Sequence, residues 1–175
     1  MPDITRERYL ATYLDQDDLP QLHQVQDSRL SRPDEGDTAF GVHGGLFRGL
    51  SVWMGADDAV VWRLVDIRFA FPDDVSAAAY HRERLRVNAE GNPGVRGAPF
   101  VGSGCTVFGG VLPTPLDLDF RMTMYFYVFR VRCIVVKLFA AQSAAREPGT
   151  LTAEHLTPIA RRIEARVGAV LSASD

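Results

Sequence analysis
Residues 120–141 constrain this chain more than any other segment. Met122, Met124, Phe126, Val128, Ile134, Val136 and Leu138 recur at alternate positions, the period of an extended chain whose side chains point to opposite faces. About 22 residues exceed an ordinary strand, so a turn must break the run, and it is expected near Arg130 to Cys133. A membrane span is excluded because Arg121, Arg130, Arg132 and Lys137 interrupt the segment and each costs several kcal/mol at mid-bilayer. The expectation is a hairpin with those seven residues on its apolar side, meeting an amphipathic closing helix.

The flanking segments supply partners for that hairpin. Residues 46–54 and 59–71 are rich in β-branched and aromatic residues and are separated by Gly55-Ala56-Asp57-Asp58, a second hairpin signal. In the latter strand Val61, Arg63, Val65, Ile67 and Phe69 share a face that reads as core, with Trp62, Leu64, Asp66 and Arg68 opposite. Phe71-Pro72-Asp73-Asp74 stops the strand and offers an aspartate N-cap. Val75, Ala78, Ala79, Arg82 and Leu85 then fall at helical spacing up to Gly91, a helix expected to lie on the sheet through its alanines. Residues 92–104 and 109–118 read as Gly/Pro loops on either side of a short strand at 105–108.

At the ends of the chain the period is helical. Leu156, Ile159, Ala160, Ile163, Val167, Val170 and Leu171 form a stripe opposite Arg161, Arg162, Glu164 and Arg166. Thr157 is read as its N-cap with Pro158 in the first position, Thr152 being the alternative. Near the start, Thr5 caps a short helix that Ile4 and Tyr9 staple, with Leu10, Tyr13 and Leu14 continuing its apolar face to about Asp15. Residues 16–37 are polar without a sustained period and read as a surface loop. A chain of 175 residues buries roughly 70% of its unfolded surface and needs no disulfide or metal. The fold expected is α+β, a single domain with an antiparallel sheet packed by two or three helices. Residues 1–37 form helix and loop, 38–141 the sheet with one inserted helix, and 150–173 the closing helix.

Three stretches carry a family resemblance: Phe69-Ala70-Phe71-Pro72-Asp73-Asp74-Val75 opening a helix, the late hairpin over 129–139, and Leu151-Thr152 leading into the last helix. In this order they resemble the small α+β sensor-type and lipoprotein domains common in actinobacteria, over the C-terminal two thirds of the chain. The late turn reads Arg132-Cys133 where those domains usually carry glycine and a polar residue. The resemblance implies helices packed on an antiparallel sheet and a role in binding, with no catalytic set to carry over.

Composition narrows the partners. Nineteen basic against 22 acidic side chains give a formal charge of −3, spread along the chain, so no nucleic-acid footprint is built in. No charged start precedes an apolar run, and the two cysteines, Cys105 and Cys133, stand far apart, so a cytosolic protein with two free, buried thiols and no membrane contact is expected. His23, His43, His81 and His155 are scattered and no Cys-x-x-Cys occurs, so neither a metal nor a cofactor is expected. His81-Arg82-Glu83 has a deaminase-like His-x-Glu without the cysteine pair that would hold zinc, and reads as a solvated helix face. Gly102-Ser103-Gly104 lacks the lysine of a phosphate loop, and no Gly-x-Ser-x-Gly elbow occurs.

The remaining candidates are aromatic, cationic or flanked by glycine. His43, within Gly41-Val42-His43-Gly44-Gly45, reads first as a turn histidine, and alternatively could act as an acid or base where the backbone lets a ligand approach. Trp53, Trp62, Met122 and Met124 could line an apolar pocket or make an ordinary core, core being the favoured reading because pockets are few per protein, with Tyr125 and Tyr127 on the face opposite the methionines. Arg63 and Arg130 sit on apolar strand faces and need a carboxylate, a carbonyl or an anionic ligand; Asp66, Asp117 and Asp119 are candidates. The leading expectation is non-catalytic binding of a small apolar or weakly acidic molecule, or of a partner protein, at Trp53, Trp62, Arg63, Met122 and Met124. One alternative is a cofactor-free cyclase or isomerase of a polyketide-like substrate using His43, Tyr125, Tyr127 or Arg130 to hold a reactive conformer. The other is a structural subunit, such as a homodimer, that pairs through the Trp53 and Tyr125 faces.

Overall fold
A computed structural model describes residues 4–31, 38–113, 121–143, 146–147 and 149–173. In chain order the elements are α1 (Arg6–Ala11), β1 (His23–Ser31), α2 (Thr38–Val42), β2 (Phe47–Met54), β3 (Arg63–Ala70), α3 (Asp74–Ala89), β4 (Ser103–Pro113), β5 (Arg121–Val131), β6 (Ile134–Ala141) and α4 (Ala153–Ser172). The strands form one antiparallel sheet in the order β1-β2-β3-β6-β5-β4. The chain has the α+β architecture its patterning requires.

The late hairpin closes through Arg132 and Cys133, with Arg132 at a φ of +52°, a left-handed turn that suits the twist of the flanking strands. Its register is Val131↔Ile134, Phe129↔Val136 and Tyr127↔Leu138, so odd residues of β5 share a face with even residues of β6. The seven residues expected on one apolar side are therefore divided. Ile134, Val136 and Leu138 join Tyr127 and Phe129 in the main core with Leu156, Ala160, Ile163 and Val167 of α4, whereas Met122, Met124, Phe126 and Val128 point to the other face. Counting alternate residues across an even-length turn inverts the parity of the second strand.

The two faces are filled differently. α1 and α4 cover the face that carries Trp53, Leu64, Tyr127, Val136 and Leu138. α2 and α3 cover part of the opposite face, where Phe40, Phe69, Phe71, Ala77, Tyr80 and Val135 form a smaller aromatic cluster. Tyr80 lies 5.1 Å from Phe69 and 4.9 Å from Phe71 between ring centroids. This cluster sets the roll of α3: Ala77, Tyr80 and His81 face inward and Val75 is 78% exposed. The expected stripe on Val75, Ala78 and Ala79 is thus rotated, because one buried tyrosine ring contributes more apolar contact than several alanines. Asp73 caps the helix as expected, its Oδ1 accepting from the Ser76 N–H at 2.7 Å.

β3 inverts its expected sidedness as well. The Leu64, Asp66, Arg68 side faces the main core, while Val65 and Ile67 are half-buried and Arg63 is exposed. Two charged residues occupy the interior because they satisfy each other. Arg68 Nε donates to Asp66 Oδ1 at 3.0 Å and Nη2 to Oδ2 at 2.6 Å, while Nη1 reaches the Thr12 carbonyl at the end of α1. The guanidinium also stacks on Tyr13, 4.4 Å from the ring centroid. Tyr9 Oη donates to the Arg68 carbonyl at 2.9 Å and meets Tyr13 Oη at 2.9 Å. Burial raises the pKa of both phenols, so they remain neutral donors.

Three further expectations are corrected. Residues 23–31, read as loop, form the edge strand β1, paired with β2 through two irregularities; among its residues Leu30 packs on the main core and the rest are polar or, like Val25, exposed, so no apolar alternation betrays it. β4 continues through Gly109 and Gly110, at φ of +142° and +141°. A Cβ on Gly109 would lie 2.2 Å from the Met124 carbonyl oxygen, so glycine there permits close strand pairing and does not mark a loop. Finally, α4 is capped by Thr152 and contains Pro158. Thr157 is unavailable as a cap because its hydroxyl lies 2.8 Å from Tyr127 Oη and donates to the Ala153 carbonyl at 3.1 Å.

Breaking a buried pair from one side strands a charge and typically costs about 3–5 kcal/mol, whereas replacing both members with apolar groups is close to neutral. Asp66→Ala is expected to lower the unfolding free energy by about that amount in urea titrations, and Asp66→Leu with Arg68→Met to restore most of it.

Candidate functional site
The sequence-proposed residues do not converge. His43 follows α2, with Nε2 2.9 Å from Glu83 Oε2 on α3. Tyr127 lies on the α4 side of the sheet, fully buried, with Oη donating to the Ala153 carbonyl at 3.2 Å. Tyr125 lies on that side too, partly buried. Arg130 projects to the α3 side and donates to the Arg132 carbonyl at 2.9 Å. Trp53 is 1% exposed, its Nε1 donating to Ser51 Oγ at 3.1 Å. It is core, and it cannot serve as an oligomer surface. Trp62 is half-buried just before β3. Arg63 needs no buried partner because it is exposed, and Asp66 is taken by Arg68. Asp117 and Asp119 lie outside the described residues. Met122 and Met124 are half-buried on the α3 side of the sheet.

A cleft of about 500 Å³ opens elsewhere, where α4 meets the segment after α1 and the β2–β3 loop. This is within the range of about 300–1,000 Å³ usual for small-molecule pockets. Leu19, Leu22, Val60, Val61 and Ile159 give it apolar walls, and Asp18, His155 and Arg162 stand among them. Asp18 pairs with Arg166 at 2.9 Å, a guanidinium it shares with Asp15. His155 Nδ1 accepts from the Thr152 backbone N–H at 3.1 Å, so in the neutral ring the proton sits on Nε2. Arg162 donates through Nη1 to the Asp18 carbonyl and makes no ion pair among the described residues. Arg162 and His155 are both exposed, so the polar groups of the cleft stand in contact with water beside its apolar walls.

A second recess, of about 520 Å³ between α1 and α4, is lined by Tyr13, Arg29 and Arg166. There the cations are already matched: Arg29 pairs with Asp27, and Arg166 with Asp15 at 3.1 Å. The first cleft is therefore the better anion site.

Lys137 marks a third environment. It is the sole lysine of the sequence and lies on β6, on the sheet face shared with α3. Nζ donates to Asn88 Oδ1 at 3.0 Å and sits 5.3 Å from the Phe126 ring centroid. Burial, reinforced by nearby Arg84, lowers its pKa. Beyond it Val65, Ile67, Met124, Phe126 and Phe139 are half-buried. Neither Lys137 nor Arg162 stands out in the sequence as a site. The one available signal was that a lone lysine among 18 arginines falls on an apolar strand.

His81 is not on a solvated face, as its motif had suggested, but is 4% exposed. Its ring packs on Gly104, whose added Cβ would lie 2.8 Å from Cε1, and Nε2 has no hydrogen-bond partner among the described residues. Burial lowers its pKa, aided by Arg130 and Arg82 and opposed by a hydrogen bond to the Val128 backbone. Cys105 and Cys133 are free, and burial raises the pKa of each; thiols held protonated are poor nucleophiles.

No protein-family model matches the chain, and no curated protein matches it in sequence. Among solved structures it is similar to the extracellular domain of PknH from Mycobacterium tuberculosis, with a TM-score of 0.63 and 11% identity over 95% of this chain and 98% of that one. At that identity the likeness is one of fold, and at that level it agrees with the actinobacterial sensor-type resemblance. No helix among the described residues is long and apolar enough to cross a membrane.

A histidine whose pKa falls on folding binds its proton more readily in the unfolded chain, so its contribution to stability is complete above the unfolded pKa of about 6.5 and declines as pH drops below it. Stability is expected to fall between pH 7 and pH 5, and His81→Gln to flatten that decline in urea titrations at the two pH values.

Proposed function
We propose that this chain is a non-catalytic binding protein for a small apolar carboxylate held in the α4 cleft. The observation that carries this reading is the pairing of an apolar recess with the Arg162 guanidinium, which no carboxylate of the described residues neutralises. A ligand tail would displace water from Leu19, Leu22, Val60, Val61 and Ile159, and its carboxylate would accept from Arg162 and from His155 Nε2–H. An ion pair to an exposed guanidinium contributes about 0.2–1 kcal/mol, which sets a modest preference for acids over neutral analogues. The cyclase reading is less well supported, because His43 and Arg130 lie on one side of the sheet and Tyr125 and Tyr127 on the other. The two free thiols are the form a reducing compartment favours and support a cytosolic location.

Calorimetric titration with octanoate and octanol tests this. Arg162→Gln is expected to weaken octanoate by about two- to fivefold while leaving octanol unchanged, the effect of losing an exposed ion pair. Val60→Trp should fill the cleft and abolish both. Octanoate binding that survives Val60→Trp, or that is insensitive to Arg162→Gln, overturns the assignment.

A further inference from the structure
We infer that Lys137 is a covalent capture site for apolar aldehydes, forming an imine on the open part of the α3 side of the sheet. The inference is independent of the α4 cleft, which lies on the other side of the sheet.

Position comes first. Lys137 pairs with Ile67 on one side and Val128 on the other, and the last turns of α3 reach it through Asn88. On the helix side Val128 and Val135 are sealed, each 1% exposed. On the far side Val65, Phe126 and Phe139 are half-buried, with the two phenylalanine rings 5.0 Å apart. The amine thus stands at the border between a covered and an open apolar surface, where an aldehyde's hydrocarbon can lie along Phe139 while its carbonyl carbon reaches Nζ.

The amine is also oriented. Asn88 Nδ2 donates to the Arg84 carbonyl at 2.7 Å, which fixes the amide so that Oδ1 faces Lys137. A neutral amine keeps donating one N–H to that oxygen and directs its lone pair elsewhere. Burial and the neighbouring Arg84 favour that neutral form, the state in which a lysine is a nucleophile. The lone pair adds to the carbonyl carbon and a proton passes from nitrogen to the alkoxide oxygen, giving a carbinolamine. Loss of that hydroxyl with the remaining nitrogen proton, as water, leaves the C=N bond. No oxidant or reductant is consumed.

A single lysine makes the test direct. The full chain is incubated at pH 7.5 with hexanal or acetaldehyde and cyanoborohydride, with Nα-acetyl-lysine amide as internal standard, and adducts are followed by peptide mass spectrometry. Lys137 is expected to be labelled by hexanal at least about tenfold faster than the standard, as expected when a depressed pKa leaves more of the amine unprotonated at that pH. The preference for hexanal over acetaldehyde should fall several-fold in Phe139→Ala, with circular dichroism confirming that the variant is folded. Labelling at the standard's rate overturns the proposal in the unmodified chain, whatever the variant does. Equal reactivity of Lys137 toward the two aldehydes, relative to the standard, overturns the apolar specificity.

Discussion
The buried Asp66–Arg68 pair is the interaction on which the rest of the structure depends. Neither side chain reaches solvent appreciably, so each must be satisfied inside, and Arg68 is satisfied only if the end of α1 presents the Thr12 carbonyl to it. That requirement places Tyr13 over the guanidinium and Tyr9 against the strand backbone. A buried ion pair adds little net energy compared with apolar packing. What it supplies here is direction: apolar contacts would let α1 roll or slide, whereas a guanidinium fixed by Asp66 through Nε and Nη2 aims Nη1 at the Thr12 carbonyl. α1 in turn holds α4. Arg8 donates to the Val170 and Leu171 carbonyls at 2.7 and 3.1 Å, and Arg166 returns from α4 to the Tyr13 carbonyl at 2.6 Å.

This arrangement makes the two faces of the sheet unequal. The face with the ion pair is closed by a short helix and a 20-residue helix, whose ends are tied by arginines to backbone carbonyls. The other is closed by a 16-residue helix and a five-residue one, held by one aromatic cluster that reaches only part of β3 and β6. Half-buried apolar side chains remain beyond it. The α4 cleft arises from the same logic at the opposite side, because the segment after α1 must cross from α1 to β1 and leaves a recess between itself, α4 and the β2–β3 loop.

The elements that depend on local chemistry were legible in the sequence. The Asp73 cap, the two hairpins, the turn at Arg132-Cys133 and the stripe of α4 are each decided by residues within a few positions of one another. What was hidden depends on register. Which face of β3 is inside is decided by a carbonyl 56 residues away, and the parity of the late hairpin by how many residues its turn consumes. β1 was invisible because an edge strand exposed to water needs no apolar alternation. The α4 cleft was missed for a related reason: its walls come from three distant stretches, none with a motif. Met122 and Met124 were correctly placed away from Tyr125 and Tyr127, since alternation within one strand requires no knowledge of the partner.

The contrast between engaged and available groups argues for binding over proton-transfer chemistry. A general acid or base must meet its substrate, yet His43 is engaged by Glu83, Tyr127 by Thr157 and Ala153, and His81 is packed on Gly104 behind α3. Tyr127 and His81 contribute to holding a helix on the sheet, and a ligand could recruit either only by loosening that helix; His43 is partly exposed beside Glu83. Arg162 and Lys137 differ in kind. Each holds one neutral oxygen, the Asp18 carbonyl or the Asn88 amide, which positions the group without cancelling its charge or occupying every donor. Each also borders apolar surface that the fold leaves partly open. A cation or amine so placed would attract a polar head and leave the adjoining hydrocarbon to be covered by a tail, which is what the proposed binding of an amphiphile requires.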